Sequence, residues 1–154
     1  MTDTRPESPA LDPLALSGLE LMQAMARGDL PPAPIAATIG MTGFGAEEGS
    51  VWVELTPEHR HYNPLGTVHG GVLSTLLDTA AGCSVHTTLE PGQGYTSLDL
   101  TVKFLRPATA ESGTLRTTGR VISRGRRTAL AEAQVTDAQG RLVAHATSTC
   151  MIFS

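Results

Sequence analysis

A run of small and apolar residues, GVLSTLLDTAAGCSVH at positions 71 to 86, constrains the fold more than any other stretch of the sequence. Its apolar residues recur at helical spacing and predict a helix with a broad apolar stripe. The opposite face holds small residues and one carboxylate, that of Asp78. Because so apolar a helix is rarely exposed along one whole side, we expect it to lie inside the protein. The predicted stripe consists of Val72, Leu73, Leu76, Leu77, Ala80 and Ala81.

Most of the other segments alternate apolar and polar residues with a period of two, which predicts β-strands. Four of them follow the helix, and the short turns between them favour an antiparallel meander. Alanine dominates the inward positions of the last two, which leaves room for a helix close to the sheet. The expected fold is therefore α+β, a curved antiparallel sheet wrapped around one central helix. The predicted strands are SVWVELTPEH at 50–59, YTSLDLTVKFLRP at 95–107, GTLRTTGRVIS at 113–123, RTALAEAQVTD at 127–137 and RLVAHATSTCMIF at 141–153.

The N-terminal part of the chain, residues 1–44, is expected to precede the main domain at 45–154. It starts with a mobile leader rich in Pro, Ser, Thr and Asp, up to about residue 13. The segment LALSGLELMQAMARG at 14–28 is apolar at helical spacing and predicts an additional helix that Gly28 ends. A Pro- and Gly-rich connection, with a short apolar piece at 35–39, then leads to the first strand.

Composition and charge exclude several classes of function. The 154 residues include 11 Lys and Arg, carry a formal net charge of -4 and are 4% aromatic, so a nucleic acid is not an expected partner. No apolar run is long enough to span a membrane, and the N-terminus lacks the pattern of a secretory signal. Cys83 and Cys150 form no CxxC pair and are expected to be free thiols of a cytoplasmic protein.

The sequence HGG at 69–71 stands where the central helix is predicted to begin. The backbone N–H groups of Gly70 and Gly71 then lack intrahelical acceptors, and the helix dipole adds positive potential. Such a helix start can polarise a carbonyl group, and glycine lets a ligand approach closely. Asp78 lies about two turns further along, on the order of 10 Å along the axis. Either the two groups serve different purposes, or Asp78 faces the helix start of a second subunit, which is the arrangement we favour.

Four positions together resemble the hotdog-fold acyl-CoA thioesterases of the PaaI type: Asn63, His69, Gly70 and Asp78, with six residues from Asn to His and nine from His to Asp. The later strands also resemble that family, so that the resemblance covers roughly residues 45–154. It implies the hydrolysis of acyl-CoA or aryl-CoA thioesters to a free acid and coenzyme A. It implies no metal and no cofactor, since coenzyme A is part of the substrate. It also implies at least a homodimer, with a homotetramer as the expected assembly.

The resemblance implies a role for each matching residue. The Gly70 N–H would polarise the thioester carbonyl. Asp78 of the facing subunit would attack the carbonyl carbon or activate a water against it. Asn63 would position the substrate or the water, and His69 would hydrogen-bond near the thioester and order the loop.

Other residues are candidates for orienting the water or binding the substrate. Ser97 matches a strand residue that orients the water in some members. Thr96 is its rival, because the interval from Asp78 to Ser97 is one residue longer than in some members. Gly71 would allow the substrate to reach the helix start. Arginines at a strand end and in the turn SRGRR suit the phosphates of coenzyme A: Arg106, Arg124, Arg126 and Arg127.

Each assignment has a structural alternative. Asp78 could be a buried residue that caps or bridges strands, His69 could be a satisfied loop histidine, Asn63 before proline suits a turn, and Ser97 could bond across strands. The arginine turn could be a solvated surface feature, and the HRH segment at 59–61 suits an exposed loop better than a metal site. The competing functions are a non-catalytic acyl-CoA-binding module and, third, an enoyl-CoA hydratase or dehydratase with the same fold.

Overall fold

The computed structural model describes residues 10–154. The predicted leader therefore falls largely outside the described residues. None of the described helices is long and apolar enough to cross a membrane. The α-helices are α1 (Gly18–Arg27), α2 (Pro34–Ile39) and α3 (Gly70–His86). The strands are β1 (Met41–Glu47), β2 (Ser50–Leu55), β3 (Gly94–Ser97), β4 (Thr101–Phe104), β5 (Leu115–Arg124), β6 (Thr128–Thr136) and β7 (Leu142–Phe153).

The seven strands form one antiparallel sheet that curves around α3. Their order is β1-β2-β5-β6-β7-β3, and β4 pairs with β7 next to β3. The apolar stripe of α3 packs on β2, β5, β6 and β7, where Leu76, Leu77 and Ala80 are fully buried. Burying a leucine side chain so completely contributes about 1.5–3 kcal/mol. The structure confirms the predicted α+β fold with one central helix, and the predicted N-terminal helix, α1, packs on β1 and α3.

The close approach of α3 to the sheet depends on Gly119 in β5. A Cβ atom at this position would overlap the backbone carbonyl of Ala80 in α3. The neighbouring inward positions of β6 are also small, since Ala131 and Ala133 are buried there. Small residues on the inner face of the sheet thus set the distance between helix and sheet.

We expect Gly119→Ala to lower the free energy of unfolding by about 1–3 kcal/mol, because α3 must move away from the sheet to admit the methyl group. Urea unfolding followed by circular dichroism measures this change. Thr118→Ala is the matched control, since Thr118 is exposed, and its effect should stay within about 0.5 kcal/mol. Equal stability of the two variants would contradict the close packing at Gly119.

The predicted meander is correct for β5, β6 and β7 but wrong for the segment before them. β5 pairs with β2, whereas β3 and β4 lie at the opposite edge of the sheet beside β7. The connection at 105–114 contains Pro107 and a 3-10 turn at Ala110–Ser112. It is too long for a tight hairpin and carries the chain from one side of the sheet to the other.

A β-bulge interrupts the strand predicted at 95–107. β3 and β4 pair with β7 in registers that differ by one residue. The extra residue reverses which side chains face inward. Leu98 is in phase with Leu100 and Val102 in the sequence, but Leu98 is 57% exposed while Leu100 and Val102 pack against the core.

Asp99 holds this bulge against β7. Its Oδ1 accepts the N–H of Thr149 at 2.7 Å, and its carbonyl oxygen accepts the hydroxyl of Ser148 at 2.8 Å. The side chain thus supplies a hydrogen bond that regular strand pairing would have made through the backbone. This contact fixes the end of β3 relative to β7.

We expect Asp99→Ala to expose the Thr149 N–H to hydrogen exchange and to cost about 1–2 kcal/mol of stability. Asp99→Asn keeps an oxygen acceptor at the same position and should retain most of the protection. Native-state hydrogen exchange measures both variants. If Thr149 is equally protected in Asp99→Ala and the parent protein, the carboxylate does not hold the bulge.

The connection predicted at 29–50 contains two elements that the sequence analysis missed, the short helix α2 and the edge strand β1. The apolar alternation of β1 is hidden because glycines occupy two of its positions. A Cβ atom at Gly45 would overlap the indole of Trp52, which lies across β1. Met41, where β1 begins, precedes the division at residue 45 that we proposed from the sequence.

Candidate active site

The start of α3 leaves one backbone N–H without a hydrogen-bond acceptor. His69 is the N-cap residue: its Nδ1 accepts the N–H of Gly71 at 2.8 Å, and its carbonyl oxygen accepts that of Val72 at 2.9 Å. The N–H of Gly70 has no acceptor among residues 10–154. This free donor and the helix dipole together create positive potential at Gly70.

His69 orders the loop ahead of α3. Its backbone N–H donates to the carbonyl of His61 at 2.8 Å, and its side chain caps the helix as described. Because Nδ1 accepts a hydrogen bond, the hydrogen of the neutral ring is on Nε2. The ring is exposed, so the Nε2–H is the group that His69 can offer to a ligand.

Asn63 fixes the shape of the same loop. Its Oδ1 accepts the N–H groups of Leu65 at 3.0 Å and Thr67 at 3.2 Å, and its Nδ2 donates to the Thr67 hydroxyl at 3.0 Å. Both lone pairs of the amide oxygen are therefore used, and one amide hydrogen remains. Asn63 can donate one hydrogen bond to a ligand while it holds the loop.

A surface hollow, which we call the helix-start hollow, joins Gly70 and Asn63, whereas His69 does not line it. Asn63, Gly70, Phe104 and Arg106 lie along its wall. A Cβ atom at Gly70 would be 3.0 Å from the tip of the Phe104 ring, so glycine allows this ring to pack close to the start of α3. Phe104 faces the start of α3 and is 56% exposed.

Asp78 lies in a second surface hollow, which we call the acid hollow. Ser74, Thr75, Ser97 and Asp99 line it as well. The Ser97 hydroxyl donates to Asp78 Oδ1 at 3.3 Å, and the carboxylate is exposed to solvent. The bond joins α3 to β3, but the exposure of the carboxylate disfavours the structural alternative, in which Asp78 is a buried residue.

The two candidate residues on β3, Thr96 and Ser97, point to opposite faces of the sheet. Adjacent residues of a strand alternate between faces, and Ser97 faces α3 and Asp78. Thr96 therefore points to the outer face of the sheet. The geometry brings Ser97, and not Thr96, to the carboxylate.

The helix-start hollow and the acid hollow lie along one stripe of α3. Ser74 stands between them, and its hydroxyl donates to the carbonyl of Gly70 at 2.8 Å. Eight residues of helix separate Gly70 from Asp78, which corresponds to about 12 Å. One carbonyl group cannot contact the Gly70 N–H and the Asp78 carboxylate of the same chain.

The candidate arginines do not lie together. Of the four, Arg106 lines the helix-start hollow. The SRGRR turn lies near the far end of α3, where Arg124 Nε donates to the hydroxyl of Thr88 at 2.9 Å. Arg126 and Arg127 are exposed in the same turn. By helical rise this turn is about 25 Å from Gly70 of its own chain.

His61 in the HRH segment is buried, so the prediction of an exposed loop was wrong for this residue. Its Nδ1 accepts the N–H of Glu58 at 2.9 Å, and its Nε2 donates to the carbonyl of Ile39 at 2.7 Å. These bonds tie the end of α2 to the segment ahead of α3. Within residues 10–154, His, Cys, Asp and Glu form no cluster of three that could hold a metal ion.

Asp99 lines the acid hollow and Phe104 lines the helix-start hollow, and neither residue was predicted from the sequence to do so. An available signal was the presence of Asp in the middle of an apolar strand, where this residue is depleted. Phe104 carried no such signal, because an aromatic residue is favourable in any strand.

The chain is similar to known proteins in sequence and in fold. Residues 65–144, which include Gly70, Asp78 and Ser97, match the thioesterase superfamily. Acyl-coenzyme A thioesterase 13 of Homo sapiens is 30% identical over 110 residues, covering 71% of this chain and 77% of that protein. A phenylacetic acid degradation-related protein from Ralstonia eutropha JMP134 is 36% identical, with a TM-score of 0.76 over 84% of this chain and 98% of that one. The PaaI protein from the phenylacetic acid degradation operon of E. coli is 26% identical, with a TM-score of 0.76 over 90% and 96%.

Proposed function

Because the chain belongs to the thioesterase superfamily, as a PaaI-type member with the hotdog fold, we propose that it hydrolyses acyl-CoA or aryl-CoA thioesters at sites shared by two copies of the chain. The names of its relatives, which refer to acyl-coenzyme A and to phenylacetic acid degradation, support this substrate class. The proposed reaction uses neither a metal ion nor a cofactor. A cytoplasmic location and a main domain at 45–154 belong to the same proposal.

The proposal rests mainly on one observation: a hydrogen-bond donor and a carboxylate that could act on the same carbonyl group lie in two separate hollows of one chain. A free donor, the Gly70 N–H, stands in one hollow, and an exposed carboxylate, Asp78, stands in the other. Each group alone is half of a site for a carbonyl reaction. Two copies with their α3 helices side by side and antiparallel would bring the donor of one copy to the carboxylate of the other.

In the proposed reaction the Gly70 N–H donates to the thioester oxygen and stabilises the negative charge that develops on it. Asp78 of the second copy either accepts a proton from a water that attacks the carbonyl carbon or attacks that carbon itself. Ser97 orients the water or the carboxylate. The C–S bond then breaks, the coenzyme A thiolate leaves and takes up a proton, and the acid remains. If Asp78 attacks, water hydrolyses the resulting anhydride and restores the carboxylate.

Exposed apolar side chains near the two hollows support assembly from at least two copies. Leu65, Leu98, Phe104 and Leu105 are between 56% and 89% exposed in the single chain. They lie beside the outer edge formed by β3 and β4 and around the helix-start loop. Apolar surface of this kind is typical of a protein interface. We propose a homodimer as the smallest active unit and a homotetramer as the assembly.

The test is an assay of thiol release from a panel of acyl-CoA and aryl-CoA thioesters, with the molar mass of the protein measured by light scattering. We expect release of coenzyme A from at least one of them at pH 6 to 9, and a mass of at least two chains. Calorimetry on the same panel distinguishes the binding-module alternative. Tight binding of a thioester without any thiol release would overturn the proposed hydrolysis, and a fully active monomer would overturn the shared site.

A further inference from the structure

A third hollow, which we call the α2 pocket, lies between α2, the start of β1 and the C-terminal half of α3. Its volume is about 360 Å³, within the range of about 300–1,000 Å³ that is typical of small-molecule sites. Ala33, Ile35 and Ala36 line it from the N-terminal side, and Met41 and Phe44 from β1. The chemistry proposed at Gly70 and Asp78 makes no use of this pocket.

The wall of the α2 pocket is apolar and uncharged. None of the described residues that line it is Asp, Glu, Lys, Arg or His. The hydroxyl of Thr79 donates to the carbonyl of Thr75 at 2.7 Å, so its hydrogen is not free for a ligand. Burial, and after it the charge of Asp78, raises the pKa of the Cys83 thiol to about 11, so the thiol is neutral at physiological pH. A carboxylate that entered this pocket would find no cationic side chain to compensate its charge.

The α2 pocket and the acid hollow adjoin each other along α3. Thr75 lines the acid hollow, and Thr79, one turn further and next to Asp78, lines the α2 pocket. The hydrogen bond between these two threonines spans the boundary between the hollows. A ligand whose reacting carbon lies at Asp78 would therefore have an apolar space open to it on the C-terminal side.

We propose that the α2 pocket holds the acyl group of the thioester and selects uncharged, apolar acyl groups over those that end in a carboxylate. This inference rests on the proposed hydrolysis and adds a substrate class to it. The wall explains the selection, because moving a carboxylate into an uncharged apolar space without a partner is costly. Ala36 is then a specificity residue, since a larger side chain there would fill the space that the acyl chain needs.

The first test needs no variant and compares thioesters of equal chain length. We expect hexanoyl-CoA to have a kcat/KM at least about 100-fold higher than adipyl-CoA, in which a carboxylate replaces the terminal methyl group. Equal values for the two substrates would overturn the assignment of the pocket. Absence of hydrolysis with every thioester would overturn the proposed function instead.

The second test compares Ala36→Trp with Thr38→Trp on the same short helix. Thr38 is exposed and does not line the pocket. We expect Ala36→Trp to lower kcat/KM for hexanoyl-CoA by about 10- to 200-fold and for propionyl-CoA by no more than about 2-fold. Thr38→Trp should change neither. Ala36→Leu provides a milder filling should the indole prevent folding, and parallel losses for both substrates would contradict the assignment.

Discussion

Replacing Asp78 with Asn is expected to lower kcat by about 10²- to 10⁴-fold, the range for loss of a general base. Asn has the size of Asp, and its oxygen can still accept the hydrogen bond from Ser97. An amide, however, neither takes a proton from water nor attacks a thioester. Because the Asp78 side chain is exposed, we expect the free energy of unfolding to change by less than about 0.5 kcal/mol.

The control for this prediction is Asp99→Asn, which removes the other carboxylate of the acid hollow. Asp99 holds the bulge through its oxygen, and Asn preserves that acceptor. Activity should therefore survive Asp99→Asn but not Asp78→Asn, measured as thiol release at saturating substrate. If the two variants lose activity to the same extent, the negative charge of the hollow matters more than the carboxylate at position 78.

The elements that could be predicted from the sequence are those in which the polarity of each residue depends on whether its position is buried. The apolar stripe of α3 and the alternation of β2, β5, β6 and β7 follow directly from burial, because each inward position must be apolar or small. The bulge at Asp99 could not be predicted, because it arises from pairing with β7 and no local sequence pattern indicates that pairing. Edge strand β1 could not be predicted, because Gly43 and Gly45 make room for Trp52 and contribute no apolar side chains to an alternating pattern.

The candidate site shows the same division. The position of the helix start at Gly70 could be predicted, because the two glycines and the beginning of an apolar run mark it locally. The use of His69 as the cap, which leaves Gly70 and not Gly71 with the free N–H, depends on a side-chain rotamer. The choice between Thr96 and Ser97 depends on which face of β3 meets α3. Both facts required the three-dimensional arrangement.

Replacing Gly70 with Pro is expected to lower kcat by about 10²- to 10³-fold, as does the loss of one donor to a developing oxyanion. Gly70 is the first residue of α3, a position where proline is well tolerated, and His69 has φ -60° and ψ 137°, which suits a residue before proline. The substitution therefore removes the N–H and leaves the helix intact. Gly70→Ala keeps the N–H and adds the same Cβ near Phe104, so it controls for steric effects.

Mixed oligomers of Gly70→Pro and Asp78→Asn extend this prediction to the shared site. In a dimer with one copy of each variant, a site built from two chains is intact once, since the unaltered Gly70 and the unaltered Asp78 come from different chains and meet. Heterodimers purified through two different tags should therefore recover about half of the parent activity. If both groups of a site came from one chain, every site would carry one defect and the mixture would stay inactive. Recovery of activity on mixing two inactive variants thus requires that the donor and the carboxylate lie on different copies.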